Sequence, residues 1–331
     1  MLVRKYLATA FAPSMLLLSV CLSTGSASAE TYPSRPITMI VPFPAGGPTD
    51  SVARIVADGM RHSLGQSVVI SNIAGASGSI GGARGARAAA DGYTISFGTW
   101  STHVVNGVVF KLNYDPLNDF EPIALVSDNP VMLVSRNSFP AKTVPELVAW
   151  LRANPDKATS GTAGVTTPPS IAAAFFQQQT NTRFQLVHYQ TVGSAMLDLM
   201  ADRIDLIFDF VGNSQPQVQA GKVRAFAVLS KSRLRGLPDV PTADEVGLPG
   251  LYMSSWQAMW APKGTPREIV QKLNAAVVES LNRPEAVSRL EALAQTVMPK
   301  EQQSPDALAQ RHRSDIDKWW PIIRTAGIKA E

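Results

Sequence analysis

Short apolar runs and amphipathic stretches take turns along this sequence, a pattern that predicts strands joined by crossover helices in α/β sheets. Pro36 to Pro42 reads as a buried strand. Ser51 to Leu64 follows as a helix, with Val52, Ile55, Val56, Met60 and Leu64 on one face. Ser67 to Ser71 is a strand, then comes a glycine-rich turn, a small-residue helix near Ile80 to Ala90, and a strand from Tyr93 to Gly98. Val131 to Ser135, the stretch up to Gly161, Phe184 to Tyr189, Ile204 to Phe208 and Arg224 to Ser230 supply further strands. Helices are expected from Pro169 and over Ser194 to Ala201. Trp256 to Trp260 is expected to return the chain to the first lobe.

Helix boundaries carry their own signals. Thr143-Val144-Pro145-Glu146 and Thr265-Pro266-Arg267-Glu268 have the spacing of capping boxes, in which hydroxyl and carboxylate satisfy free N–H groups. Ser304-Pro305 opens the last helix, Pro321 is expected to kink or end it, and Gly327 suits a left-handed stop. Element order places lobe 1 at 30–127 plus 253–331 and lobe 2 at 128–252, so the chain crosses between lobes twice.

The length of 331 residues suits two lobes, and 45% hydrophobic with 17% charged residues suits a globular core. The first 29 residues have the layout of a secretory signal: Arg4 and Lys5, a mostly apolar Leu7 to Val20, then Ala27-Ser28-Ala29. Cleavage is expected after Ala29, which places the mature chain in the periplasm. The formal charge is +4, and losing Arg4 and Lys5 with this segment lowers it to +2, too little for a nucleic-acid partner. Cys21 is the one cysteine, so the mature chain has no disulfide and relies on its core.

Two strand–turn–helix junctions carry the candidate chemistry. In Val41 to Asp50 (VPFPAGGPTD), Gly46 and Gly47 permit turns that expose N–H groups, and Thr49 or Asp50 can cap a helix whose N-terminus is partially positive. Such a turn suits a carboxylate or phosphate, or is a plain tight turn. Gly161 to Ser170 (GTAGVTTPPS) repeats the design with Thr162, Thr166 and Thr167. Ligands of open α/β sheets sit outside the carboxyl ends of strands. Asp209, after the strand Ile204 to Phe208, either meets a ligand or caps a helix. Gly75 to Gly82 fits neither a dinucleotide fingerprint nor a P-loop. His62, His103, His188 and His312 lack metal-ligand spacing, and no nucleophile elbow is present. Trp100, Trp256 and Trp260 suit an apolar pocket or the core.

The ordered set of Tyr32 to Ile37, VPFPAGGPTD (41–50), Ala90 to Thr94, Tyr114-Asp115-Pro116, Asp119 to Pro122, Ala220 to Arg224, Leu237 to Thr242, Ala261 to Pro266 and Lys318-Trp319 resembles the solute receptors of tripartite tricarboxylate transporters, also called Bug proteins. The resemblance covers nearly all of 32–329. It implies a type II periplasmic-binding-protein fold, two α/β lobes on a two-crossover hinge with a central ligand cleft. It implies that the loops Phe43 to Thr49 and Thr162 to Thr167 hold a small organic carboxylate, and that the partner is a set of membrane transporter subunits. The candidate contacts are Phe43, Ala45, Gly46, Gly47, Thr49, Thr99, Thr162, Thr166, Thr167 and Asp209. A monomer without cofactor, metal or catalytic residues is expected. The alternatives are a sensory receptor for a membrane signalling partner and an exported hydrolase or isomerase. Departures from the family pattern include Pro48 for a third glycine, Ile73-Ala74 for Arg-Pro, Thr166-Thr167 for Gly-Ser, Ser170 for His, and Gln190-Thr191 for Lys-Gly.

Overall fold

A computed structural model describes residues 31–329 apart from Val165. The expected signal segment, its cleavage point and Cys21 lie outside the described residues. The first half runs β1 (Ile37–Val41), α1 (Pro48–Leu64), β2 (Val68–Asn72), α2 (Ser79–Ala86), β3 (Thr94–Thr99), α3 (Asn106–Val109), β4 (Phe120–Asp128) and β5 (Val131–Ser135), its strands expected from the sequence except β4. The second half continues with α4 (Val144–Ala153), β6 (Thr159–Thr162), α5 (Pro168–Thr180), β7 (Gln185–His188), α6 (Val192–Met200), β8 (Leu206–Phe210), α7 (Val211–Gln219) and β9 (Arg224–Val228). The chain ends through β10 (Gln257–Pro262), α8 (Arg267–Leu281), α9 (Pro284–Ala292), β11 (Thr296–Val297) and α10 (Pro305–Thr325).

These strands form two sheets, ordered β11-β4-β10-β3-β1-β2 and β7-β6-β8-β5-β9. The expected two-lobed α/β architecture is therefore present, and β10 does return the chain to the first sheet. β1 lies parallel to β2 and β3, while β10 runs antiparallel to β3 and β4. In the second sheet β6 is parallel to β7 and β8, and β5 is antiparallel to β8 and β9.

Register fixes where the chain crosses. Gln257 pairs with Thr99 and Ser127, so the return crossing enters, and the outward crossing leaves, at the carboxyl end of β3. Val131 pairs with Phe210, and Met132 with Val228, so both crossings meet the second sheet at the carboxyl end of β8. The two crossings are laced together: Ser255 N–H donates to Asn129 O at 3.0 Å and Val131 N–H to Met253 O at 2.9 Å. The carboxyl edges of both sheets are thus the edges nearest the connection.

Packing follows the same plan. Val52, Val56 and Met60 of α1 bury against Ile37 and Met39 of β1 and Leu273 and Val277 of α8. The largest core runs through both sheets, joining Trp100, Leu125 and Ala258 with Leu133, Phe176 and Phe208, and taking in Ile316 and Trp319 of α10. Trp100, Trp256 and Trp260 are fully buried core residues, and Trp260 also borders a cavity beside His312.

Two boundary expectations are corrected. Thr265 does not cap α8; its hydroxyl donates to Pro262 O at 2.7 Å and Pro266 becomes the N-cap, because the turn leaving β10 consumes the side chain. Pro321 does not end α10, which runs on to Thr325. One missing hydrogen bond is outweighed by burial of Trp319 and Ile323 on either side. The Thr143 box caps α4 as expected: its hydroxyl accepts from Glu146 N–H at 3.3 Å, and the Glu146 carboxylate accepts from Lys142 N–H at 2.7 Å. Gly327, at φ +66°, is the left-handed stop expected.

Candidate functional site

The first turn leaves β1 at its carboxyl end and opens α1. Gly46 sits at φ +79°, a conformation that disfavours a side chain, and Gly47 is the extended N-cap at φ −75°, ψ 169°. The organiser is Asp50. This buried carboxylate accepts from Gly46 N–H at 2.8 Å, Arg54 Nε at 2.8 Å and Asn72 Nδ2 at 2.9 Å. Burial alone would raise its pKa, but hydrogen bonds from Arg54, Asn72 and Gly46 prevail and bring it down to about 2. Asn72 donates in addition to Phe43 O at 3.0 Å, tying the turn to the end of β2.

This arrangement changes which groups can meet an anion. Gly46 N–H is spent on Asp50, Gly47 N–H leans on Pro44 O at 3.4 Å, and Pro48 has no N–H. Helix geometry leaves the N–H groups of Thr49 and Asp50 without an intrahelical acceptor. Thr49 is half-buried, Ala45 and Gly46 are exposed, and Phe43 packs half-buried against the core of the first sheet. The first turn therefore offers an uncapped helix N-terminus, with Asp50 neutralised behind it.

The second turn leaves β6 and opens α5. Gly164, exposed at φ +86°, directs its carbonyl into a hydroxyl cluster. Thr167 Oγ donates to Gly164 O at 2.8 Å and Ser170 Oγ donates to it at 2.6 Å, while Thr162 Oγ meets Ser170 Oγ. Thr162 and Ser170 are buried. Thr162 and Thr167 are thereby spent on holding the turn. Thr166, half-buried, makes no hydrogen bond among the described residues. Pro168 and Pro169 occupy the first two helical positions, so the tip of α5 is left with the Ser170 N–H, one donor fewer than the tip of α1.

The remaining candidates fall at the same carboxyl edges. Thr99 ends β3 and is buried; its Oγ accepts from Thr102 N–H at 3.4 Å, and its own N–H donates to Thr102 Oγ at 2.9 Å. Asp209, on β8, is fully buried and accepts from Phe210 N–H at 2.7 Å, Asn213 Nδ2 at 3.0 Å and Ser214 Oγ at 2.8 Å. Burial raises its pKa against those three donors. Its oxygens accept from the start of α7, so the helix-organising role open to it is the one made by these hydrogen bonds. Asn72, Arg54, Thr102 and Ser214 were not singled out from sequence; Asn72 is brought in from β2 by tertiary pairing, while Arg54, Thr102 and Ser214 lie within five residues of the side chains they hold.

The histidines, isolated in sequence, are partly gathered in space. His312 Nε2 bonds to His103 O at 2.8 Å, and His103 stacks on Trp260 at 3.6 Å. Burial lowers both, and holds His103 well below the ordinary histidine range. No group of three or more His, Cys, Asp or Glu among the described residues could hold a metal ion. No described helix is long and apolar enough to cross a membrane. Cavities of about 620 Å³ and 440 Å³ lie away from both turns, against Arg267, His312 and Arg313, and against Arg84 and Lys111 respectively.

Comparison with known proteins locates this geometry. Residues 52–328 match the tripartite tricarboxylate transporter family receptor. Over 314 residues the chain is 37% identical to a UPF0065 protein in the TAR-I ttuE-ttuC' intergenic region of Agrobacterium vitis, covering 95% of this chain and 91% of that one. MatC from Rhodopseudomonas palustris with bound malate is 36% identical, with a TM-score of 0.71 over 88% of this chain and 100% of MatC. A TctC solute binding protein from Polaromonas with no ligand is 27% identical, with a TM-score of 0.81 over 89% of this chain and 100% of that one.

Proposed function

The chain belongs to the tripartite tricarboxylate transporter receptor family, periplasmic solute-binding proteins and not enzymes, and from that premise we propose that it captures a small organic carboxylate between its lobes. Its fold is that of the type II periplasmic binding proteins. The observation that carries the proposal is the pair of strand–turn–helix junctions at the carboxyl edges that the two crossings join. Neither turn contains Lys or Arg, so neutral dipoles meet the charge. The grip is unequal. The tip of α1 supplies Thr49, through hydroxyl and N–H, and the Asp50 N–H, while the second turn supplies chiefly the Thr166 hydroxyl. Hydrogen bonds to a charged group contribute about 1.5–3 kcal/mol each, enough for a small anion without a cation partner.

In this reading the lobes divide near Asp128 and Met253, the chain is a monomer, and membrane transporter subunits receive the solute. The protein is exported and cut after Ala29, an assignment N-terminal sequencing of the exported chain checks. Exposure of Ala45, Gly46 and Gly164 supports an open arrangement, as does the higher TM-score against the Polaromonas protein with no ligand than against the more identical MatC with bound malate.

The test is calorimetric titration with a panel of mono- and dicarboxylates, malate first, with each ligand recovered and analysed afterwards. One-to-one binding with the ligand chemically unchanged is expected. Conversion of a bound carboxylate into product, or binding of neutral solutes with no carboxylate bound, would sink the proposal.

A further inference from the structure

The C-terminal helix α10 contacts elements of both lobes. On one side α10 is fastened to the first sheet and its neighbours. Trp320 Nε1 donates to Val104 O at 2.9 Å, and His312 Nε2 bonds to His103 O at 2.8 Å. Asp315 accepts from Trp256 Nε1 at 2.7 Å and from Arg311 Nε at 3.0 Å, fixing the helix to the base of the return crossing.

On the other side α10 reaches into the second lobe. The Trp319 ring stands edge-to-face on Phe175 of α5 at 5.4 Å, and on Trp100 at 5.7 Å. Trp100 follows Thr99 directly, and α5 begins at the second turn. Trp319 is thus wedged between one element from each half of the candidate site. Beside it Lys318 Nζ donates to Gly250 O at 2.9 Å and lies 4.3 Å from the Trp319 ring. Gly250 belongs to the return segment on the second-lobe side.

We propose that Trp319 and Phe175, with Lys318 beside them, are positioning residues that hold the lobes open and thereby set the affinity for the ligand. The inference rests on the reading above, in which this arrangement is the open one and the ligand binds between the lobes. Trp319 travels with the first lobe and Phe175 with the second, so any rotation between lobes changes their contact. Dispersion contacts fade within about an ångström of separation, so the contact favours the arrangement in which it is made. A ligand that binds the closed form must first supply that difference, and apparent affinity falls by the fraction of molecules already closed.

A residue that only supported the fold would, when truncated, weaken binding. A brace on the open state does the reverse. Phe175 is half-buried, so Phe175→Ala is the first variant, Lys318→Met the second, and Trp319→Phe the conservative control that keeps a ring in place. Two measurements are made: small-angle scattering of ligand-free protein, and calorimetric titration with malate. Ligand-free Phe175→Ala should have a smaller radius of gyration than ligand-free wild type. It should bind malate about two- to tenfold more tightly, the range set by the worth of one aromatic pair. Lys318→Met should shift in the same direction, and Trp319→Phe should stay near wild type. Folded Phe175→Ala or Lys318→Met with unchanged or larger ligand-free dimensions, or with weaker malate binding, overturns the proposal. Failure of the underlying reading looks different: wild type then neither binds a carboxylate nor contracts with one, while the ligand-free scattering comparison still decides the brace.

Discussion

The Asp50 carboxylate closes onto Gly46 N–H at 2.8 Å, so an acid sits at the centre of the turn proposed to hold an anion. It can do so because Arg54 and Asn72 neutralise and orient it. Asp50→Asn keeps the shape and removes the charge. Thermal melts should show a loss of about 2 kcal/mol at neutral pH, the equivalent of lowering an ordinary aspartate to about 2. A depressed acid contributes stability above its unfolded pKa and loses it as pH falls through its folded one. The gap between wild type and Asp50→Asn should therefore be full above about pH 5 and shrink towards pH 2. A gap independent of pH would mean that the charge is not what holds the turn.

The two threonines of the second turn should behave differently. Thr167→Val removes the hydroxyl held by Gly164 O, so it should cost about 1 kcal/mol of stability and affect binding only through the turn. Thr166→Val removes a hydroxyl that makes no hydrogen bond among the described residues. It should leave melting nearly unchanged and weaken malate binding by about tenfold. Calorimetry and melts on both variants check the pattern, and the reverse order would reassign the contact to Thr167.

Gly46 is open in space but constrained in backbone: an added Cβ meets nothing within 4 Å, yet φ is +79°. Gly46→Asn tolerates that conformation better than most residues and should bind with modest loss. Gly46→Asp places a second carboxylate beside the uncapped end of α1 and should nearly abolish binding while remaining folded. Equal affinities for the two variants would show that no anion approaches this turn.

Ser170 links Thr162, Thr167 and Gly164 O from a buried position. Ser170→Ala leaves the Thr162 hydroxyl without that acceptor, at a cost of about 1–3 kcal/mol. A melting temperature lowered by several degrees with binding weakened in proportion is expected. An unchanged melting temperature would show that the cluster is not structural.

Much of this fold was legible because its strands are short apolar runs with glycine or proline at their ends; Val131 to Ser135 was read to the residue. β4 was not read, because Pro122 interrupts an already weak pattern, and pairing with β10 and β11 makes it a strand. α7 carries Pro216 and few apolar residues, so its start depends on Asp209, a relationship no local pattern reveals. The positions of both turns were visible. Which of their groups are spent was not, since Asn72 and Ser170 act through neighbours brought together by sheet register and helix entry.

The place of β10 in the first sheet has a consequence for how the chain is made. β3 and β4 are not neighbours; β10 fills the gap between them, and it is completed only at Pro262. A chain emerging N-terminus first can finish its second sheet, whose last strand ends at Val228, while the first still has an empty slot. Until residue 262 arrives, two unpaired strand edges face each other across that slot, open to any passing extended chain. The half that begins the sequence is thus the last to be sealed.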